Sequence, residues 1–141
     1  MSETVTASAV VYRGAGILIR GAPGAGKSTL ALMLIEDGGR LVGDDRVHLG
    51  ARNGRIIASG HGAVPGKIEL CGRGLVERPF EPSAIVRLVV DCVVPDQIER
   101  LPESDILTAT LLGICLPRQP VATISPAAPA LVREALGAIV R

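Results

Sequence analysis

Apolar residues fall into short runs along most of this chain, and helical spacing occurs in only two places. The runs at 17–19 and 84–94 have the length and the aliphatic, β-branched composition of buried strands. Apolar residues at 29–35, and at helical spacing over 131–140, predict two helices. The pattern therefore predicts an α/β fold with a β-rich core, one helix near the start and one at the C-terminus.

Turn residues indicate how several of these strands are connected. The β-branched segment 5–12 is followed by turn residues at 13–16, which predicts a β-hairpin leading into strand 17–19. Asn53-Gly54 lies between two further apolar runs and is a strong signal for a second hairpin. The first half of the chain therefore differs from a plain strand–helix–strand repeat.

The second half of the chain gives weaker signals. Ile68-Glu69-Leu70 predicts a brief strand, and residues 96–104 predict a polar loop. Residues 106–116 predict a strand that ends at Pro117-Arg118. Ser125-Pro126 is suited to cap and start the C-terminal helix. We expect this half to be mainly β-structure closed by that helix.

Residues 21–28 match the phosphate-binding pattern G-x-x-x-x-G-K-[ST] at every fixed position. A predicted strand precedes them and a predicted helix follows, which is the context that such a P-loop requires. Its glycines allow consecutive N–H groups to turn toward a polyphosphate. The pattern predicts that nucleotide phosphates are bound by Gly21, Ala22, Pro23, Gly24, Ala25, Gly26, Lys27, Ser28 and Thr29. Lys27 would reach the β- and γ-phosphates of ATP and Ser28 would hold Mg²⁺, whereas the alternative is a glycine-rich turn with a surface lysine.

Three carboxylates follow or interrupt predicted strands. The P-loop helix should end at Gly38-Gly39, and residues 40–43 should return as a short strand parallel to the one before the P-loop. Asp44 and Asp45 then lie near the phosphates, and because neighbours on a strand face opposite sides, one would be catalytic and the other structural. The pattern leaves open which, and a solvated acidic turn is the alternative. Glu69, between two apolar residues, is the third carboxylate.

Size and charge narrow the range of partners. The chain has 141 residues, which is suited to a single domain over 1–141. Its 15 basic and 14 acidic residues give a formal net charge of +1 without a basic block. Such a surface has no electrostatic attraction for nucleic acid or for an anionic membrane. The longest apolar stretch is also too short to span a bilayer, so we expect neither nucleic acid nor a membrane as a partner.

Cysteine usage and the N-terminus bear on location. Cys71, Cys92 and Cys115 are odd in number and lack C-x-x-C spacing, which is typical of free thiols in a reducing compartment. Ala7-Ser8-Ala9 resembles a cleavage site, but no basic segment and no apolar region precede it. The sequence therefore predicts a cytoplasmic protein.

One family shares these motifs. The run GAPGAGKSTLALMLIEDGGRLVGDDRV at 21–47, together with IELCGRGL at 68–75, resembles the kinase domain of HPr kinase/phosphorylase. The resemblance is specific over 5–47 and 68–76 and weakens after Val94. It implies a P-loop kinase fold similar to that of phosphoenolpyruvate carboxykinases, in a short form without the family's N-terminal domain.

The resemblance also implies an activity and roles for single residues. The family uses Mg-ATP to phosphorylate a regulatory serine of the small carrier protein HPr, and it removes that phosphate by attack of inorganic phosphate. Carried over, Lys27 binds phosphate, Ser28 and Glu69 bind Mg²⁺, Asp45 is the acid/base and Arg100 neutralises charge on the phosphoryl group. An HPr-like carrier is the implied partner, and the family's hexamers imply a homo-oligomer.

The chain departs from the family pattern at two positions and leaves two other functions open. Thr6 stands where the family has a histidine, and Thr29 stands where an acid is common. Arg118 is read as a surface arginine. A small-metabolite or nucleotide kinase would share the P-loop. A regulator that binds ATP but has lost transfer chemistry through Thr6 is the third interpretation.

Overall fold

The computed structural model of the protein describes residues 1–61 and 65–139, and in that part of the chain it has eleven strands and two α-helices. The strands are β1 Ser2–Val5, β2 Ser8–Tyr12, β3 Ala15–Gly21, β4 Arg40–Gly43, β5 Val47–Arg52, β6 Arg55–Gly60, β7 Lys67–Leu70, β8 Gly74–Glu77, β9 Ser83–Cys92, β10 Thr108–Leu111 and β11 Ile114–Val121. The helices are α1 Lys27–Glu36 and α2 Ala128–Ile139, and a 3₁₀ turn spans Pro95–Gln97. Neither α-helix is long and apolar enough to cross a membrane.

Parallel strands at the centre of the main sheet determine where the P-loop lies. Nine strands form this sheet in the order β1-β5-β6-β9-β3-β2-β4, with β11 beside β9 and β10 beside β11. β9 runs parallel to both β3 and β11. The C-terminal ends of these three strands therefore meet at one edge, which is where ligands bind in open α/β sheets. The P-loop leaves β3 at that edge.

The position of β4 differs from the sequence-based expectation of a strand paired in parallel with β3. β4 pairs antiparallel with β2, and β2 pairs antiparallel with β3. The β2–β3 hairpin occupies the place beside β3, so the chain returning from α1 can only add outside it. Because two antiparallel steps restore the direction, β4 still ends at the same edge as β3.

Aliphatic side chains cover both faces of the sheet. On one face α1 and α2 pack against β3, β9 and β11. Of the apolar stripe predicted for α2, Val132 and Leu136 are buried, and Leu131, Ala135 and Ile139 pack partly buried against the core. The sixth position of that stripe, residue 140, lies outside the described residues. The opposite face is covered by side chains from the β5–β6 hairpin and from β10 and β11. Truncating a buried leucine in either layer should cost about 2–5 kcal/mol.

Both predicted hairpins are confirmed. β2 and β3 are joined at Arg13-Gly14, with φ of 52° and 79°, and β5 and β6 at Asn53-Gly54, with φ of 53° and 75°. Two successive left-handed residues are the geometry of a two-residue turn that matches strand twist. The sequence therefore specifies both connections locally.

The strand predicted over 106–116 is wrong in extent. The chain turns at Leu112-Gly113, and β10 and β11 pair antiparallel on either side of this turn. β11 then continues through Pro117 and Pro120 to Val121. Gly113, with φ of 79°, was the local signal for this turn, but leucine is rarely left-handed and prolines usually end a strand.

Candidate functional site

The P-loop has the strand–loop–helix form that its motif predicts. β3 ends at Gly21 and α1 begins at Lys27. Between them Gly24 and Gly26 have φ of 78° and 96°, which only glycine adopts without strain. The first N–H groups of a helix have no acceptor within it, so the start of α1 presents donors toward the space in front of the loop. This arrangement is suited to a polyphosphate.

Lys27 lies across its own loop. Its Nζ donates hydrogen bonds to the carbonyl oxygens of Gly21 at 2.9 Å and Ala22 at 3.2 Å. Both acceptors are neutral, so a phosphate would be a stronger partner for the ammonium. The side chain is thus held beside the expected phosphate position.

Asp44 connects the P-loop helix to two other elements. Its Oδ1 accepts hydrogen bonds from the hydroxyls of Ser28 at 2.7 Å and Ser8 at 2.8 Å, and its Oδ2 accepts from the backbone N–H of Glu69 at 3.1 Å. Ser28, through its hydroxyl, and Glu69, through its backbone N–H, therefore meet at this carboxylate. Ser8 is fully buried and Asp44 is half-buried, so their hydrogen bond is partly shielded from water.

The side chains of Asp44 and Asp45 are not arranged as strand alternation predicted. Alternation left open which of the two faces the phosphates and the family resemblance favoured Asp45, but Asp44 is the residue bonded to Ser28. The strand ends at Gly43, and Asp45 is left-handed with φ of 68°, so alternation no longer applies. The Asp45 carboxylate is exposed and makes no hydrogen bond or ion pair within the described ranges. Its carbonyl oxygen accepts from Ala7 N–H at 3.1 Å.

The donors around Ser28 fit a magnesium–nucleotide complex. Glu69 lies on β7 with an exposed side chain that has no partner among residues 1–61 and 65–139. The same ranges contain no cluster of three or more His, Cys, Asp or Glu residues able to hold a metal. Mg²⁺ typically takes one or two protein oxygens and completes its shell with water and phosphate oxygens. The Ser28 hydroxyl, with the Asp44 carboxylate behind it, supplies oxygen atoms of this kind, and Glu69 is joined to them through its backbone N–H.

Arg100 is not brought into the hydrogen-bonded part of the site. It is exposed in the segment after the 3₁₀ turn, and its guanidinium has no hydrogen bond or ion pair to any residue that the structure describes. Its predicted catalytic role remains a prediction.

Arg118 is not the surface arginine that the sequence indicated. Its side chain is 22% exposed, and its Nε donates to Asp91 Oδ2 at 2.5 Å while its Nη1 donates to the carbonyl of Ile106 at 2.8 Å. Arg20 donates to both oxygens of the same carboxylate, at 2.8 and 2.9 Å. Burial raises the pKa of Asp91, but the hydrogen bonds from the two arginines outweigh it and lower the pKa overall. The parallel pairing of β9 with β3 and β11 produces this network.

Sequence reasoning missed two polar residues next to the P-loop. Within the described part of the chain, the buried polar residues are Ser8 and Thr123. Ser8 stands within an apolar strand, and a small polar residue there could have indicated a buried partner. Thr123 lies in a short connection after β11 and carried no recognisable signal.

Comparison with known proteins agrees with the fold and the motif. The sequence model of the HPr Serine kinase C-terminal domain matches residues 1–94. HPr kinase/phosphorylase from Prosthecochloris aestuarii is 34% identical over 121 residues, covering 78% of this chain and 35% of that protein. The Bordetella pertussis HPr kinase/phosphorylase is 39% identical over 114 residues, covering 72% of this chain and 36% of that protein.

A solved structure is similar over nearly the full length. The Hpr(Ser) kinase/phosphatase from Coxiella burnetii superposes with a TM-score of 0.81 at 28% identity, covering 96% of this chain and 95% of that one. By contrast, the chain spans about a third of the length of the two curated relatives. The family match extends from the first hairpin through the P-loop to the end of β9. The chain therefore belongs to the family of the HPr serine kinase C-terminal domain.

Proposed function

We propose that this chain transfers the γ-phosphoryl group of Mg-ATP to a serine of an HPr-like carrier protein, and catalyses the reverse attack of inorganic phosphate on that phosphoserine. The observation that carries the proposal is the Ser28–Asp44 hydrogen bond at the start of a P-loop helix, in a chain of this family. Such a pair places a hydroxyl and a carboxylate where P-loop enzymes hold their metal. The related proteins named HPr kinase/phosphorylase support the choice of carrier and both directions.

We assign nucleotide binding to residues 21–29. The loop N–H groups and the Lys27 ammonium would hold the phosphates, and Ser28 and Glu69 would hold Mg²⁺. The ion would neutralise charge on the phosphoryl group during transfer. Asp44 is a positioning residue in this scheme, because its hydrogen bond fixes the rotamer of the Ser28 hydroxyl.

Asp45 is the proposed acid/base. In the forward direction its carboxylate accepts the proton of the carrier serine while that oxygen bonds to phosphorus, and in reverse it returns the proton to the departing serine oxygen. Asp44 is less suited to this task because three donors already occupy its oxygens. The exposed Asp45 carboxylate is free to meet a substrate, and its left-handed backbone is the kind of strain found at functional sites.

The remaining assignments rest on the family. Arg100 would approach the phosphoryl group from its exposed segment and offset the charge that develops there. We also propose a homo-oligomer in the cytoplasm, where the free thiols of the exposed Cys71 and Cys115 would remain reduced.

The test is incubation of the protein with Mg-ATP and an HPr-like carrier, followed by mass spectrometry for phosphoserine. Transfer should require the carrier's serine and should be abolished by Lys27→Ala, which removes a point charge from the phosphates without changing the loop backbone. Phosphocarrier with inorganic phosphate should return carrier and pyrophosphate. Transfer only to small molecules, or binding of ATP without any transfer, would contradict the proposal.

A further inference from the structure

The end of β11 brings Thr123 against the P-loop. β11 is parallel to β9, and β9 is parallel to β3, so the residues after Val121 reach the edge at which Gly21 ends its strand. Thr123 lies two residues beyond β11 and is 8% exposed. A buried threonine is thus packed between the sheet and the phosphate-binding loop.

The contact is with the glycine directly before Lys27. A methyl group added to Gly26 would lie 2.6 Å from Thr123 Cγ2 and 2.9 Å from Thr123 Cβ. Side chains cannot approach that closely, so Thr123 excludes any residue larger than glycine and limits the movement of this peptide. Gly26 also starts α1, because its carbonyl accepts the N–H of Leu30 at 2.9 Å. Thr123 therefore supports the point at which the loop becomes a helix.

The hydroxyl of Thr123 is buried and has no hydrogen-bond partner in the described part of the chain. Buried polar groups are nearly always paired in native proteins. Burial raises the pKa of the neighbouring Cys92 thiol, and the Thr123 hydroxyl and the Lys27 charge oppose that rise. The Thr123 hydroxyl therefore lies close enough to the Cys92 thiol to affect its pKa, but the two groups do not meet the distance and angle criteria of a hydrogen bond. A valine would fill the same space without an unpaired oxygen, so packing alone does not account for threonine here.

We propose that Thr123 is a positioning residue whose hydroxyl receives its hydrogen bond from the P-loop when a polyphosphate is bound there. This inference rests on the proposed function. Lys27 Nζ is bonded to the carbonyls of Gly21 and Ala22, and a polyphosphate competes for that ammonium. In this proposal the loss of those two bonds lets the loop peptides adjust, and the peptide at Gly26 lies against Thr123. The hydroxyl would hold the adjusted loop.

Thr123→Val tests this because it keeps the shape and removes the hydroxyl. Two effects of opposite sign are expected. The melting temperature without ligand should rise by about 3 °C, since an unpaired buried oxygen is removed. Affinity for the β,γ-imido analogue of ATP with Mg²⁺, measured by titration calorimetry, should fall by about 10-fold. Thr123→Ser keeps the hydroxyl and should retain most of the affinity.

Thr110→Val is the matched control, because Thr110 is exposed on β10 and the chemical change is the same. It should alter neither quantity. Equal affinity of Thr123→Val and the wild type for the analogue would overturn the inference. A lower melting temperature of Thr123→Val, combined with equal losses of affinity in Thr123→Val and Thr123→Ser, would overturn it as well. A wild-type protein that binds no analogue would overturn the proposed function, and this inference with it.

Discussion

The Ser28 hydroxyl donates to Asp44 Oδ1 over 2.7 Å, joining the first turn of α1 to the end of β4. Ser8 donates to the same oxygen and the Glu69 N–H to the other, so the carboxylate is fixed from three elements. Asp45, its neighbour, has an exposed carboxylate with no hydrogen bond or ion pair to the described residues. The two adjacent acids therefore have different environments, and the role of each can be tested by its own substitution.

Asp45→Asn should leave Mg-ATP binding unchanged and reduce the turnover of phosphotransfer. The P-loop, Lys27 and Ser28 are untouched, but the proton acceptor is lost, which should lower kcat by on the order of 10²–10⁴. Steady-state kinetics with the carrier, together with calorimetric titration of nucleotide, separates the two effects.

Asp44→Asn is the comparison variant. An amide NH₂ cannot accept from the Glu69 N–H or from a serine hydroxyl, so about 1–3 kcal/mol of unfolding free energy should be lost. We expect lower stability and a higher Mg²⁺ requirement more than lost chemistry. If a stably folded Asp44→Asn protein had no turnover while Asp45→Asn was nearly normal, the base would have to be reassigned to Asp44.

Glu69→Gln should raise the Mg²⁺ concentration required for half-maximal transfer by on the order of 10-fold. A neutral amide of nearly the same shape is a poorer ligand for a hard cation. The backbone N–H that reaches Asp44 is unchanged by this substitution, so folding should be preserved. Titration of Mg²⁺ at fixed ATP measures the effect.

Glu77→Gln is the control for that titration, because Glu77 lies on β8 of the same hairpin and pairs with Lys67. Its Mg²⁺ requirement should match that of the wild type. If Glu69→Gln also left the Mg²⁺ requirement unchanged, Glu69 would not be a Mg²⁺ ligand and would have only a structural role in β7.

Local patterns predicted the parts of the fold that short-range chemistry determines. The β2–β3 and β5–β6 hairpins, the P-loop and the end of α1 all depend on glycine, asparagine and apolar spacing within a few residues. At the end of α1, Gly38 has φ of 99°, and the N–H groups of Gly38 and Gly39 donate to Ile35 and Leu34 at 3.0 and 2.9 Å. Such caps can be read from sequence because glycine is the residue that takes this geometry readily.

The parts that could not be predicted depend on contacts between distant segments. Ser8, Asp44 and the Glu69 N–H meet only because β2, β4 and β7 are folded together. The turn at Leu112 has a backbone angle that its residue type disfavours. Arg118 was predicted to lie on the surface because its partner Asp91 is on a different strand. In each case the tertiary arrangement outweighed the local signal.

Asp91→Asn should destabilise the protein and reduce its sensitivity to acid. The pKa of Asp91 is raised by burial but lowered more by its hydrogen bonds with Arg20 and Arg118, so it lies below that of the unfolded chain. Its stabilisation is therefore complete above the unfolded pKa of about 3.9 and is lost as pH falls through the lower folded pKa. At pH 7 the variant should lose about 2–3 kcal/mol, less than for a fully buried pair because Arg20 is 35% exposed.

Urea unfolding between pH 7 and pH 2 measures this contribution. The wild type should lose free energy of unfolding below pH 4, and Asp91→Asn should show a smaller slope in that range. Asp105→Asn, an exposed aspartate without an ion pair among the described residues, should follow the wild type. Equal slopes for Asp91→Asn and the wild type would show that the network does not stabilise the fold.

Thr6→His should increase phosphorolysis. Thr6 is exposed between β1 and β2, and the next residue, Ala7, donates its N–H to the carbonyl of Asp45 at 3.1 Å. A histidine there adds a group with a pKa near 6.5 beside the proposed acid/base, where threonine cannot titrate. The rate of pyrophosphate release from phosphocarrier should rise by on the order of 10-fold and gain a dependence on pH between about 6 and 7. Thr4→His, two residues away on β1, is the control and should change neither the rate nor the pH profile. A similar result for both variants, or an unchanged profile in Thr6→His, would mean that position 6 does not reach the reacting phosphate.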